Sequence, residues 1–302
     1  RNSIRSSVAR RLGLSTEGLP IPPRPVDGLV EMLLDATQNY KKDLTKKRLK
    51  GWQAGLFPTG HSGIHQIQVG QWRDSEEPMR VISGSSSKQK IHFEAPPSKN
   101  VSKEMTQFLD WFQDKKNETD GLIRAAIAHL WFVTIHPFDD GNGRIARAIT
   151  DLALAQDESF NKRCYSLSAQ ISHDRKDYYE ILESTQKGSL DVTDWIIWFL
   201  QTLAKAIEAS MALIQKAKLV GNFWKTHSHL ELNTRQRKVL QKMLETEPDG
   251  FLGGMTNKKY VSITRTSRET AKRDLSDLVE KKLLRQNEGK GRSISYSLVL
   301  KF

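Results

Sequence analysis

The sequence predicts a mainly α protein in which a β-hairpin interrupts a large helical domain and a small α+β domain follows. Three observations predict this fold. Helical periodicity covers most of the first 220 residues, and short alternating runs broken by Gly and Ser occupy residues 64–97. Residues 234–302 give three helices and then two strands. The expected domains are therefore residues 1–220 and 234–302, joined by a connector over 221–233.

The helices of the larger domain follow from spacing and from breaks in the chain. Residues 1–13 are expected to be helical, and PIPPRP at 20–25 separates them from the next helix. The turn PTGHSG ends the third helix. Apolar spacing predicts helices at about 26–40, 44–57, 101–116, 120–135, 142–156, 172–186 and 191–220. The runs IHQIQVGQW, EPMRVISG and KQKIHFEAPP predict strands or a hairpin within 64–97.

The smaller domain has its own order of elements. TRQRKVLQKMLE and MTNKKYVSIT predict two helices, and TSRETAKRDLSDLVEKKLL predicts a third, in which Thr266 and Glu269 have capping-box spacing. LLRQNEGKGRSISYSLVL predicts two strands around a basic turn. Three helices and a hairpin in this order resemble a winged helix-turn-helix domain covering about 230–302.

That resemblance implies a nucleic-acid or protein contact surface. The basic residues of the third helix lie off its apolar face, and those of the turn would form the wing; these candidate DNA contacts are Arg268, Lys272, Arg273, Lys290 and Arg292. Winged domains also dock proteins or form dimers. DNA, a protein partner and a homodimer therefore all stay open for residues 234–302.

Composition excludes several classes of protein. The 302 residues are 37% hydrophobic and 27% charged, as in globular proteins. No run approaches the roughly 20 apolar residues of a membrane span, and the basic N-terminus lacks the apolar core of a signal peptide. We therefore expect no membrane partner. The single cysteine, Cys164, fits a buried structural thiol in a reducing cytoplasm.

Positive charge is concentrated near the C-terminus. The net charge is +12, and residues 230–302 hold 16 Lys and Arg against 9 Asp and Glu. This bias suits nucleic acid or a phosphate-bearing ligand. Exposed lysines that only keep a protein soluble would give the same number.

The loop HPFDDGNGRIAR, residues 136–147, separates two strongly apolar helices. Gly141 and Gly143 flank Asn142 where the second helix begins, and glycine lets a ligand approach the backbone closely. The N–H groups at such a helix N-terminus bind anions, helped by the helix dipole. Arg144 and Arg147 follow on nearly the same face, where cations oppose the dipole unless an anion is bound. Two arginines and a glycine nest predict a polyphosphate site.

The remaining polar residues of the loop extend that prediction. A carboxylate at Asp140 beside phosphates implies Mg²⁺ between them. A neutral His136 can take a proton from an attacking hydroxyl near pH 7. Pro137 and Phe138 are expected to anchor the loop, and Asp139 to be solvated. A single His at a helix end or a Gly-Asn-Gly turn is usually only structural, so the prediction depends on the combination.

Two other common sites are not expected. The phosphate-loop pattern GxxxxGK[ST] is absent, and so is HExxH. His129 and His136 are seven residues apart, which does not favour a zinc site.

The loop matches the signature of the Fic (filamentation induced by cAMP) family, HPFx[DE]GNGRxxR, at every fixed position. The stretches RSSVARRLGL, VEMLLDATQNY, HFEAPP and HLWFVTIHPFDDGNGRIARAI are similar to a bacterial subgroup with a C-terminal winged helix. The resemblance therefore covers nearly the whole chain. It implies a helical core with a β-hairpin flap, here within 64–97, that aligns a target segment by strand pairing.

The resemblance also implies a reaction. A Ser, Thr or Tyr hydroxyl of a target protein attacks the α-phosphate of ATP, giving an AMP-modified protein and pyrophosphate. His136 is then the general base and Asp140 the Mg²⁺ ligand. The implied phosphate-binding residues are Gly141, Asn142, Gly143, Arg144 near the β-phosphate and Arg147 near the γ-phosphate. Tyr178 and Tyr179 resemble an adenine-side pair, although buried core tyrosines are equally expected there.

One family feature is not found in this sequence. Many members carry an inhibitory motif, [ST]xxxE[GN], whose Glu pairs with the second motif Arg. Glu17 precedes Gly18, but Gly13 occupies the Ser/Thr position; Glu288 precedes Gly289, but Leu284 occupies it. We therefore expect a chain without its own inhibitory segment, which modifies itself or bystander proteins more readily than a longer form.

Two alternatives stay open. Relatives named Doc phosphorylate their targets, and another relative transfers phosphocholine, so the transferred group is not fixed by the motif. In a different class, the chain is a DNA-binding regulator whose Fic core senses nucleotide.

Overall fold

The computed structural model describes residues 2–11, 20–83, 90–114, 118–160, 163–247, 250–289 and 294–300. The chain divides into two units, residues 1–208 and 209–302. The expectations for Gly13, Glu17, Gly18, Lys290 and Arg292 lie outside the described residues.

The expected mainly α fold is confirmed. The helices before residue 230 are α1 (Asn2–Arg11), α2 (Arg24–Gln38), α3 (Lys46–Leu56), α4 (Ser98–Gln113), α5 (Gly121–Ile135), α6 (Asn142–Asp157), α7 (Leu167–His173), α8 (Arg175–Lys187) and α9 (Thr193–Thr226). The helix expected at 172–186 is wrong at its start. The segment contains the end of α7 and the whole of α8, because Asp174 has φ −94° and ψ 35° and so interrupts the helical backbone.

Helices α5 and α6 form the centre of the first unit. They pack closely on each other, and each contributes several alanines that have no exposed surface. Small side chains let two helices approach each other closely. Around this pair lie larger buried side chains such as Phe108, Phe132 and Trp195. The loop 136–141 that joins the pair is therefore held at both ends by buried helices.

Two short antiparallel hairpins cover the segment expected to contain strands. Strand β1 (His61–Ser62) pairs with β2 (His65–Gln66). Strand β3 (Arg80–Ser83) pairs with β4 (Lys90–Glu94), with a register shift between Val81 and Ile82. The strand expectation is wrong for residues 67–79, which are irregular. Several of their backbone N–H groups bond to other parts of the fold instead of to a neighbouring strand.

The second unit contains three further helices and a hairpin: α10 (Thr234–Leu244), α11 (Asn257–Thr264), α12 (Arg268–Glu280), β5 (Leu284–Gln286) and β6 (Tyr296–Leu298). Phe223 of α9 is fully buried in this unit's core. The segment expected to be a connector, residues 221–233, is helical as far as Thr226, because the ring of Phe223 packs into that core. The capping box expected at Thr266 is wrong: Ser267 is the N-cap, and its hydroxyl accepts the N–H of Thr270.

Two expectations from composition need correction. Helix α9 is long and apolar enough to cross a membrane by length and composition alone, so the statement that no run approaches such a span is wrong. A single helix of this kind is weak evidence for a membrane, and core helices of soluble proteins pass the same test. Cys164 is exposed and not buried.

Candidate active site

The loop at the end of α5 begins with an unusual backbone conformation at His136. This residue caps α5 with φ 51° and ψ 58°, in the left-handed region that disfavours residues other than glycine. Phe138 follows with no exposed surface, and its ring lies 4.8 Å from that of Trp72. Pro137 is buried as well. The two residues expected to anchor the loop therefore do so.

The protonation state of His136 follows from its contacts. Its Nδ1 lies 3.1 Å from the carbonyl oxygen of Val133. A carbonyl only accepts, so Nδ1 carries the proton and Nε2 keeps the lone pair in the neutral ring. Burial lowers the pKa of His136, and the positive charge of Arg73 lowers it further, while the Val133 carbonyl and Asp140 act in the opposite direction. The imidazole is therefore neutral at pH 7 and able to accept a proton at Nε2.

The turn into α6 requires glycine at one position. Gly141 has φ 94°, and a Cβ there would lie 3.0 Å from Cε2 of Phe57. Gly143 has ordinary helical backbone, and a Cβ there would make only normal contact, 3.6 Å from Nη1 of Arg147. Positive φ is thus required at Gly141 alone, and the small size of Gly143 leaves room beside Arg147.

The first turn of α6 has free N–H groups. Its helical hydrogen bonds begin with the N–H groups of Arg144 and Ile145, which both donate to the carbonyl of Gly141. The N–H groups of Asn142 and Gly143 precede them and have no helical acceptor. An anion at this end would receive both donors and the positive end of the helix dipole.

The side chain of Asn142 does not face the site as expected. It is 2% exposed; its Oδ1 accepts the N–H of Phe138 at 3.0 Å, and its Nδ2 donates to the Phe138 carbonyl at 2.7 Å. The side chain therefore closes the loop on itself. Only the backbone N–H of Asn142 stays available to a phosphate.

Asp140 holds its carboxylate at the mouth of the loop. Its Oδ2 accepts the hydroxyl of Ser62 at 2.5 Å and lies 3.6 Å from the guanidinium of Arg144, while 42% of the side chain remains exposed. Mg²⁺ prefers such carboxylate oxygens and keeps several waters or phosphate oxygens as its other ligands. No group of three or more His, Cys, Asp or Glu in the described ranges could hold a metal ion. The half-exposed carboxylate of Asp140 fits Mg²⁺ that takes its other ligands from water and phosphate oxygens.

The side chain of Asp139 forms a hydrogen bond within the fold, although we expected it to be solvated. Its Oδ2 accepts the backbone N–H of Gln68 at 2.8 Å. This bond ties the irregular segment after β2 to the loop. The expectation of a merely solvated position is therefore wrong.

A cavity of about 400 Å³ lies beside the start of α6. Arg144 and Arg147 line it together with Tyr178 and Tyr179, and the other lining residues are Leu29, Leu33, Ser168, Ile171, Ser172 and Arg175. The guanidinium of Arg144 lies 4.7 Å from the ring centre of Phe57. The cations, hydroxyls and aromatic rings that line the cavity can receive a nucleotide's phosphates and its base.

The two tyrosines differ in their surroundings. Tyr178 is 4% exposed, and its hydroxyl lies 3.0 Å from Nε2 of His129, whose Nδ1 contacts Thr150. Burial lowers the pKa of His129 to about 3, so this ring is neutral. Tyr179 is 37% exposed, and the guanidinium of Arg175 lies 5.6 Å from its ring centre. Both tyrosines border the cavity, Tyr178 from the core and Tyr179 from the surface.

Comparison with known proteins shows a similarity of family and fold. The sequence model of the Fic/DOC family matches residues 43–154, which include the whole 136–147 loop. The chain carries a Fic/DOC family domain. A Fic family protein from Desulfovibrio desulfuricans G20 has a similar fold, with a TM-score of 0.52 at 18% identity; the match covers 100% of this chain and 86% of that one.

Curated relatives resemble the Fic domain at modest identity. The protein adenylyltransferase Fic of Nematostella vectensis is 30% identical over 155 residues, which are 51% of this chain and 31% of that protein. A uridine 5′-monophosphate transferase of Xanthomonas campestris is 36% identical over 67 residues, which are 20% of this chain and 12% of that protein. The matches thus span less than a third of these relatives' lengths.

The Fic domain brings together most of the motif residues expected to form the site. His136, Asp140, Arg144 and Arg147 all belong to the loop or to the first turns of α6. The candidate DNA contacts belong to α12 of the second unit, where their side chains are exposed; these are Arg268, Lys272 and Arg273.

Other residues of the first unit were not expected from the motif. Arg73 donates to backbone carbonyls of the loop, and Ser62 bonds to Asp140. Leu29 and Leu33 of α2 form an apolar part of the cavity. Motif spacing could not reveal them, because each lies more than 60 residues from the loop residue it accompanies. The run GQWRD around Arg73 is mixed in polarity and gives no signal that singles out this arginine.

Proposed function

We propose that this chain is a protein adenylyltransferase that transfers AMP from ATP to a hydroxyl of a target protein. The observation that carries the proposal is the grouping of a neutral imidazole, a carboxylate, free helical N–H groups and two arginines on one loop and helix beside a cavity. The similarity to proteins named protein adenylyltransferase supports ATP as the nucleotide. The position of each of these groups indicates its role in the transfer.

His136 acts as the general base. Its Nε2 takes the proton of a Ser, Thr or Tyr hydroxyl while the hydroxyl oxygen attacks the α-phosphorus of ATP. The bond from the α-phosphorus to the bridging oxygen breaks, and pyrophosphate leaves. The bond from Nδ1 to the Val133 carbonyl fixes the tautomer that this step needs.

The phosphates are held from α6. The N–H groups of Asn142 and Gly143 face the anion, and Arg144 and Arg147 add two cations. Arg147 has no hydrogen-bond or ion-pair partner among the described residues, so its guanidinium is available to a phosphate. Asp140 would hold Mg²⁺, which when bound neutralises charge on the phosphate oxygens.

The test is incubation with labelled ATP and a bacterial lysate, with His136→Ala as the comparison. We expect labelled protein bands with the unmodified chain, including the chain itself, and none with the variant. Labelled bands of equal intensity from both forms would contradict the base assignment. Mass spectrometry of a labelled protein then distinguishes AMP from phosphate, the two groups that ATP itself can supply.

A second candidate function is DNA binding by the second unit. Arg268, Lys272 and Arg273 are exposed on α12, and none has a hydrogen-bond or ion-pair partner for its side chain within the described ranges. Three helices and a two-stranded hairpin in this unit are compatible with a winged helix-turn-helix domain. Unpaired cations on the third helix favour contact with DNA phosphates.

Retention on duplex DNA at increasing salt tests this candidate. We expect affinity to fall as salt rises, and to fall further in the double variant Arg268→Ala/Arg273→Ala. Retention that is independent of salt and of the substitutions would favour docking of a target protein or a second copy of this chain.

We place the protein in the bacterial cytoplasm, a proposal supported by its single, unpaired cysteine.

A further inference from the structure

Arg73 is a buried charged residue that the reaction above does not use. It is 3% exposed, although arginine is rarely buried without partners. It lies in the irregular segment between the two hairpins, 63 residues before His136. A buried guanidinium must place its donors on acceptors, because an unpaired buried charge is costly.

The acceptors of Arg73 are all backbone carbonyls around the catalytic loop. Its Nε donates to the carbonyl of His136 at 2.8 Å, and its Nη2 donates to those of Pro96 at 2.5 Å and Ile135 at 3.3 Å. Its own backbone N–H donates to the Pro137 carbonyl at 2.9 Å. Arg73 therefore bonds to three successive residues, the last of α5 and the first two of the loop.

These bonds meet two needs of the loop. The last carbonyls of α5 have no helical donor and lie at the negative end of the helix dipole, where a cation is favourable. The left-handed backbone of His136 is unfavourable for a residue with a Cβ. Strain of this kind persists at active sites only where neighbouring groups hold it. Arg73 donates to the carbonyls on both sides of the strained α-carbon.

The bond to Pro96 joins the loop to the larger hairpin. Strand β4 ends at Glu94, and Pro96 lies between that end and the start of α4. Arg73 thus connects the backbone of His136 to the base of hairpin β3–β4. A target segment paired with this hairpin would be held at a fixed distance from the imidazole.

We propose that Arg73 is a positioning residue that holds the left-handed backbone of His136 and ties it to the base of hairpin β3–β4, so that Nε2 meets the hydroxyl of the target. This inference rests on the proposed transfer reaction. Displacement of a catalytic group by about 1 Å can lower a rate about 100-fold. The nucleotide contacts on α6 do not involve Arg73, so ATP affinity is expected to stay within about twofold.

The experiment compares Arg73→Lys and Arg73→Gln with the full unmodified chain. Lysine keeps the charge but cannot reach three carbonyls in the same fork geometry. Both variants are expected to lose about 100-fold in kcat with unchanged ATP affinity, measured by calorimetry. The charged groups acting on His136 are Arg73 and Asp140. Only Arg73→Gln removes one of them, so only this variant should raise the pKa of the acid limb of the rate profile.

Arg124→Lys is the matched control. Arg124 is a partly buried arginine on α5; it donates to the carbonyl of Phe112 at 3.2 Å and to Oε1 of Gln156 at 3.0 Å. It lies near the opposite end of α5 from His136. Its substitution is expected to lower the unfolding temperature and leave kcat within about twofold.

Three outcomes would overturn the proposal. They are a kcat of both Arg73 variants within about threefold of the unmodified chain, an equal loss in the Arg124→Lys control, and loss of cooperative unfolding in both Arg73 variants. The last would make Arg73 a requirement of the fold.

A readout without ATP separates this proposal from the reaction itself: the ¹³Cα and ¹³Cβ shifts of His136, which report its φ, should change in Arg73→Lys. If the unmodified chain transfers nothing, the proposed function fails, and these shifts alone decide whether Arg73 holds His136.

Discussion

Substitution of Asn142 by alanine separates a structural role of this motif residue from a phosphate-binding role. The amide of Asn142 bonds to both the N–H and the carbonyl of Phe138, a residue with no exposed surface. Alanine removes both partners at once. Each buried polar group left unsatisfied costs about 1–3 kcal/mol, so Asn142→Ala should lower the free energy of unfolding by about 2–4 kcal/mol, allowing for some entry of water.

The assay is urea unfolding without ATP, followed by tryptophan fluorescence. Six of the seven tryptophans precede residue 209, so the signal reports mainly on the first unit. Asn100→Ala is the control, because Asn100 is exposed on α4 and its change should stay within about 0.5 kcal/mol. A loss below about 1 kcal/mol for Asn142→Ala would refute the structural reading. Weaker ATP binding at unchanged stability would show that the amide serves the nucleotide instead.

Three further predictions concern the same loop. Gly141→Ala should cost about 1–2 kcal/mol in urea unfolding, because φ is 94° there and a Cβ would crowd Phe57; unchanged stability would contradict the assigned turn. Arg147→Ala should raise the Kd for ATP about tenfold or more in calorimetry and leave stability within about 0.5 kcal/mol, since the side chain has no partner among the described residues; a large loss of stability would reveal an unseen structural bond. Because burial lowers the pKa of His136, the transfer rate should be constant near pH 7 and fall only as the pH drops through a value below 6.5. A midpoint above 6.5 would contradict the neutral base.

Local periodicity was sufficient to predict most helices. Helices α5 and α6 show clear apolar spacing, and the motif marks where they meet: α5 ends at Ile135, directly before it, and α6 begins at Asn142, within it. The break at Asp174 was not visible, since Asp is tolerated within helices. The capping serine at 267 was missed in favour of its neighbour because two adjacent hydroxyl residues give the same signal, and only the backbone decides between them.

The site was predictable where its chemistry is local and not where it depends on distant contacts. Gly141, Asp140 and the two arginines of the motif lie within one loop and helix start, so spacing alone groups them. The left-handed backbone of His136 and the inward amide of Asn142 need packing from elsewhere in the fold. Arg73 and Ser62 reach the loop across more than 60 residues of sequence, a distance over which no spacing rule applies.

The central claim is that His136 removes a proton from a protein hydroxyl during AMP transfer. The most direct test is intact-protein mass spectrometry of the unmodified chain and of His136→Ala, each incubated with Mg²⁺ and ATP at concentrations that saturate both by calorimetry. For the chain without substitution, we predict an added AMP on the chain itself or on its target, confined to a hydroxyl side chain. For His136→Ala, we predict no added AMP although ATP occupancy is equal. An AMP adduct formed at a similar rate by His136→Ala would contradict this account.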